Sequence, residues 1–122
     1  MSSQSSAMSS RIAFLTEMAV DAQRTGETLF YVRIPGDINP LERENRFEEP
    51  LDAALKGAGL GEVAGGGEQM GNGNEILYCG LDVYIKDRKA GLQFLRKALR
   101  SLEVPAKTVI EEFLPQWQQH EL

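Results

Sequence analysis

From Glu75 to Lys86 the chain alternates residue by residue, and no other segment constrains the fold as tightly. Leu77, Cys79, Leu81, Val83 and Ile85 fall on one side, while Ile76, Tyr78, Gly80, Asp82 and Tyr84 fall on the other. A period of two belongs to an extended strand, because successive side chains leave opposite faces of the pleat. Ahead of this run stands Gly71-Asn-Gly-Asn74, and ahead of that a glycine-dense stretch from Gly61. Asn-Gly is a strong hairpin signal, since both residues tolerate positive φ. The pattern therefore predicts a short strand over Glu62–Gln69 that returns as Glu75–Lys86.

The flanking segments extend this unit. Ile12, Leu15, Met18, Ala19 and Ala22 recur at helical spacing and predict a helix over Ser10–Arg24, capped by Ser9 or Ser10 and stopped by Gly26. Thr28–Ile34 alternates, with Phe30, Val32 and Ile34 facing away from Leu29, Tyr31 and Arg33. Pro35-Gly36 ends that strand, because proline donates nothing to a ladder. Pro35–Pro50 follows as an expected ordered loop of mixed charge, with prolines at 35, 40 and 50. Pro50 suits the first turn of a helix, where its missing N–H costs nothing. Leu51, Ala54, Leu55 and Ala58 give that helix an apolar stripe, and Gly57-Ala-Gly59 ends it.

Asp87 caps a second helix running to about Leu102, with Leu92, Leu95, Leu99 and Leu102 in register and Phe94 and Ala98 beside them. Lys107–Phe113 reads as a last strand. Leu114–Leu122 is polar apart from Trp117 and is expected to fray. After the first helix the order is strand–helix–strand–strand–helix–strand, the split βαβ pattern of ferredoxin-like α+β domains. Right-handed crossovers would place both helices on one side of a four-stranded antiparallel sheet of order 4-1-3-2. The opposite side stays open unless the N-terminal helix or a second copy covers it. The expected division is a disordered leader over 1–9, a single domain over 10–114 and a polar tail over 115–122.

A chain of 122 residues fits one domain with a core of its own. A net charge of −5 opposes nonspecific nucleic-acid binding, which needs an excess of cations to displace counterions. Cys79 is the single cysteine, so no internal disulfide forms, and no Cys/His set presents itself for a metal. Its expected role is that of a small buried apolar residue in a strand. This cysteine usage fits a reducing cytoplasm. No apolar run reaches the length of a membrane span, and the serine-rich start lacks the basic and apolar regions of a signal peptide. No cofactor is implied.

Several pieces also resemble a family of small uncharacterised bacterial proteins. They are Val32-Arg-Ile-Pro35, Pro40-Leu-Glu-Arg43 with Phe47-Glu-Glu-Pro-Leu51, Gly61-Glu-Val-Ala-Gly-Gly-Gly67, Gly80-Leu-Asp-Val83 and the leucine-rich second helix. The resemblance runs from Leu29 to Glu112 and leaves the N-terminal helix outside it. It implies a bacterial origin and brings no activity.

Three features invite a functional reading. Gly65-Gly66-Gly67 suggests a phosphate cradle, but no Gly-Lys-Ser/Thr follows and a strand replaces the helix such a cradle needs. A bulged strand, or a place where a neighbour packs against backbone, accounts for it better. Asp37, Glu42, Glu44, Glu48 and Glu49 offer an acid/base pair or an oxygen-rich metal site, yet the calcium-loop spacing is absent. Arg33, Arg43 and Arg46 favour structural ion pairing instead. Tyr31, Arg33, Tyr78, Asp82 and Tyr84 could form a binding or self-association surface on the open sheet face. An RNA surface would need a basic surround that Asp82 and the net charge oppose.

The candidate ligand or partner residues are thus Arg33, Asp37, Glu42, Arg43, Arg46, Glu48, Tyr78, Asp82 and Tyr84. His120, the only histidine, falls in the expected tail, so no catalytic constellation is assigned. The leading expectation is a non-enzymatic α+β module that binds a protein partner or small ligand, or forms a homodimer. The alternatives are an enzyme using the acids and arginines of Pro35–Pro50, and an immunity-type or adaptor protein.

Overall fold

The computed structural model describes residues 3–122, with side-chain surroundings from Ser9 onward. The chain forms α1 (Ser3–Arg24), β1 (Thr28–Pro35), a short α2 (Pro40–Glu42) that runs into a π-helical turn (Arg43–Glu48), and α3 (Glu49–Gly57). There follow β2 (Gly61–Met70), β3 (Ile76–Ile85), α4 (Arg88–Ser101), β4 (Val109–Glu112) and β5 (Gln118–Glu121). The strands make one five-stranded sheet of order β2-β3-β1-β4-β5, and every neighbouring pair is antiparallel. The protein is therefore an α+β fold built on an open sheet. β1 lies beside β3, with Leu29 opposite Tyr84 and Ile34 opposite Cys79.

Alternation divides the side chains between two apolar layers. Phe30, Val32, Ile34, Cys79, Leu81, Val83 and Ile85 meet Leu51 and Leu55 of α3 and Leu92, Leu95 and Leu99 of α4. This is the main core, and burying each such side chain contributes about 1.5–3 kcal/mol. Asp87 caps α4 by accepting a bond from the Ala90 N–H at 3.2 Å. Gly91 lets α4 approach β3, because a Cβ there would collide with Ile85. On the other face Leu15, Ala19 and Ala22 of α1 pack against Leu29, Tyr31 and Phe113. The face expected to be open is thus covered over β1 by α1, and Gly26 ends that helix at φ +78°.

Four expectations change. The Pro35–Pro50 loop is mostly helical, and only the residues between β1 and α2 remain irregular. Asn39 accepts a bond from the Glu42 N–H at 2.9 Å and starts the helix. Pro50 explains the π turn: it lacks an N–H, and its ring would clash with the Arg46 carbonyl in a regular α-helix. Shifting to the wider register, in which the Glu49 N–H donates to the Glu44 carbonyl, carries the helix past it.

The 115–122 tail does not fray in this fold. Gln118–Glu121 forms β5 and adds a fifth strand beside β4, which would otherwise leave its ladder groups unpaired. The helix expected from Ser10 starts at Ser3, because Ser3–Ser10 contains no glycine or proline to stop it. The 71–75 connection closes through a Gly71 N–H bond to the Glu75 carbonyl at 2.9 Å. Asn72 and Gly73 are absent from the positive-φ residues, so the hairpin is a longer turn than the Asn-Gly signal suggested.

Candidate functional site

The acids and arginines after β1 satisfy one another. Asp37 accepts from the Ile76 N–H at 3.0 Å and pins the end of β1 to the start of β3. Glu42 and Arg46, one helical turn apart, form an exposed pair at 3.2 Å. The Arg46 guanidinium lies over the Phe47 ring at 4.7 Å. Arg43 is buried. Its Nη1 donates to Glu68 on β2, and its Nε faces Glu48 Oε1 at 3.6 Å, outside hydrogen-bond reach. Neither Arg43 Nε nor Glu48 Oε1 has another partner. Opposite charge holds this pair, and its geometry braces the π turn against the edge strand.

The glycine run makes room for that brace. A Cβ at Gly66 would collide with the Gly80 carbonyl oxygen on β3 and also press on the Arg43 side chain at 3.3 Å. The register of β2 against β3 also shifts between Val63 and Gly65, a bulge of the kind the glycines permit. Asp52 accepts from the Val63 N–H at this irregularity, at 2.9 Å. That bond, together with the Lys56 ammonium at 2.9 Å, lowers the Asp52 pKa, Lys56 being the larger cause.

Arg33, Tyr78, Asp82 and Tyr84 lie on the α1 side of the sheet, away from Arg43 and Glu48. Arg33 sits 5.8 Å from the Tyr78 ring centre. Burial raises the Asp82 pKa, with Arg43 opposing it in part. Burial also raises Tyr84, with Asp82 adding to the effect. Burial, reinforced by Tyr78, pushes the Tyr31 hydroxyl well above its ordinary value. The expected candidate residues therefore form several small groups on two sides of the sheet, not one cleft. Cys79 is fully buried in the main core, where burial and then Glu68 raise its thiol to about 11.

Two ion clusters at β4 escaped the sequence reading. Arg11 donates two parallel hydrogen bonds to Glu111, at 2.8 and 3.0 Å, and Trp117 Nε1 donates to the same carboxylate at 2.7 Å. On the opposite face Arg88 holds Glu112 at 2.6 and 2.7 Å, and His120 Nε2 lies 2.9 Å from it. Burial would raise the Glu112 pKa, but the bonds from Arg88 and His120 outweigh it and lower the value. Adjacent glutamates in a strand were the available signal, because alternation forces one carboxylate onto each covered face.

A concavity lies between α3 and α4, on the outer side of the main core. Pro50, Leu51 and Ala54 form one wall and Phe94, Ala98 and Leu102 the other, around a cavity of 280 Å³. Lys97 and Ser101 supply its polar groups. Phe94, Ala98 and Leu102 recur at four-residue spacing beside the core stripe of α4, so its apolar arc is wider than one core requires. That width is visible in the sequence, though its opening between two helices is not.

Comparison with protein-family models, curated proteins and solved structures finds none that matches this chain. Among the described residues, no helix is long and apolar enough to cross a membrane.

Proposed function

We propose that this chain is a non-enzymatic α+β module that binds a small ligand in the groove between α3 and α4. The observation that carries this reading is the groove itself: an open, apolar cavity of 280 Å³ with a few polar groups at its edge. Small-molecule sites typically have this character, and the volume lies just below the usual range of about 300–1,000 Å³. Pairing of Arg43 with Glu48 and Glu68, and of Arg46 with Glu42, supports a bracing role for the segment that the enzyme alternative would use.

The finer classification follows the same proposal. We read β1, α3, β2, β3, α4 and β4 as a ferredoxin-like unit, with α1 and β5 as additions. The resemblance to small bacterial proteins and a reducing cytoplasmic setting complete the reading.

The test is a titration of isotopically labelled protein with small apolar probes such as indole and octanol. Shift changes confined to Ala54, Phe94, Ala98 and Leu102, and removed by Ala98→Trp, would support the site. An absence of changes at these residues, or equal changes across the surface, would overturn it.

A further inference from the structure

We infer that the ligand of the α3–α4 groove is an anionic amphiphile, an aliphatic tail ending in a carboxylate. This rests on the reading of the groove as a small-ligand site and adds the chemistry of the occupant. Lys97 is the charged side chain in the lining, and it is exposed, so an anion can reach its ammonium without losing all its water. Among the described residues it forms no ion pair, whereas Lys56 on the facing helix is paired with Asp52.

The wider field points the same way. α4 carries Arg88, Lys89, Arg96, Lys97 and Arg100 and has no acidic residue. Arg88 is held by Glu112, while Arg96 and Arg100 donate to the Glu121 and Leu122 carbonyls at the chain end. Among the described residues of α4, Lys89 and Lys97 are left without such a partner, and of these two Lys97 lines the groove. On the opposite wall Asp52 follows Leu51 and is already held by Lys56 and the Val63 N–H, while Glu49, beside Pro50, is exposed. The apolar walls would take the tail. Lys97, with the Ser101 hydroxyl one turn further along α4, would take the carboxylate. A charged hydrogen bond at an exposed site is weakened by water and salt, so head-group selectivity should be modest and salt-sensitive.

The experiment compares octanoate, octanol and octylammonium by calorimetry, below their aggregation concentrations, on the full chain and on Lys97→Glu and Ala98→Trp. Octanoate should bind about fivefold more tightly than octanol, a margin of about 1 kcal/mol. Lys97→Glu should reverse the order in favour of octylammonium. High salt should shrink both differences, and Ala98→Trp should weaken all three. Equal binding of octanol and octanoate, unchanged by Lys97→Glu, would overturn the anionic inference and leave the groove standing as a site. Failure of all three to bind would remove the groove reading as well. Dimer formation that closes the groove, seen by light scattering and abolished by Ala98→Trp, would replace the amphiphile with a second copy and overturn the inference.

Discussion

Arg11 on α1 and Glu111 on β4 are joined by two parallel hydrogen bonds, at 2.8 and 3.0 Å, across the face of the sheet. The Glu111 side chain is fully buried, and the Arg11 guanidinium also lies 5.4 Å from the Tyr31 ring centre. α1 is thus fixed by a charged clamp as well as by Leu15, Ala19 and Ala22.

Arg11→Ala should therefore be costly, because it leaves a buried carboxylate with only the Trp117 N–H as a partner. Breaking one side of a buried pair typically costs about 3–5 kcal/mol. Chemical denaturation of both proteins checks this, and Arg11→Lys should recover part of the loss. A cost below about 0.5 kcal/mol, the usual size for an unremarkable surface change, would show that the clamp does not hold α1.

Arg43→Ala should destabilise the protein through loss of the brace between the π turn and β2. Glu68 and Glu48 would then both lose their cation, so a cost of about 2–3 kcal/mol is expected. Octanoate binding should stay unchanged, since Arg43 is not part of the groove lining. Lost binding with unaltered stability would reassign Arg43 from the scaffold to a site.

What the sequence made legible follows from which interactions are local. Strand alternation grouped Phe30, Val32 and Ile34 on one side of their strand and Leu77, Cys79, Leu81, Val83 and Ile85 on one side of theirs. All but Leu77, which is exposed near the start of β3, meet in one core. Asp87 as a cap depends on contacts three residues apart and is equally readable. The fifth strand is different. Gln118–Glu121 has little β character of its own and is extended because β4 offers a free edge. The π turn likewise depends on how a helix accommodates Pro50 while burying Arg43 and Phe47 together. The candidate residues were chosen for charge and aromaticity along the chain. Only the tertiary fold reveals that Arg43 meets Glu68 while Tyr78 meets Arg33 on the other side of the sheet.

Gly91→Ala tests the close approach of α4 to β3. Alanine in a helix interior ordinarily gains about 0.5–1 kcal/mol over glycine. Here the new methyl would meet Ile85, whose Cβ and Cδ1 both lie 3.2 Å from its position. Overpacking of this kind costs about 1–3 kcal/mol, so the melting temperature should fall despite the better propensity. A rise would mean that the helix and sheet can part without loss.

Glu112 should give the protein an acid-sensitive component of stability. Its folded pKa is lowered from 4.5, so its contribution is present in full above that value. The contribution is lost as pH falls through the folded pKa. Glu112→Gln should lower stability at pH 7 by about 2 kcal/mol, the scale of hydrogen bonds to a charged partner. The deficit should shrink in strong acid, and a pH-independent deficit would assign the loss to packing instead.

Asp82 should behave with the opposite sign. Its folded pKa is raised from 3.8 by burial, with Arg43 only partly offsetting that effect. Folding therefore favours the neutral acid. The favourable contribution is complete below 3.8 and disappears as pH rises through the folded value. The Asp82 carboxylate stands beside Gly65 and near half-buried Tyr84, and it accepts no hydrogen bond from the described side chains. Asp82→Asn keeps the shape and removes the charge, so it should raise the melting temperature at neutral pH by a few degrees. The difference should close toward pH 3, where Asp82 is neutral in both the folded and unfolded chains. Calorimetric scans at several pH values compare this variant directly with Glu112→Gln. Stabilisation by Asp82→Asn and destabilisation by Glu112→Gln at pH 7 would establish that the two carboxylates differ in environment. A loss of stability in Asp82→Asn at pH 7 would instead show that Asp82 is held in its charged form by a partner.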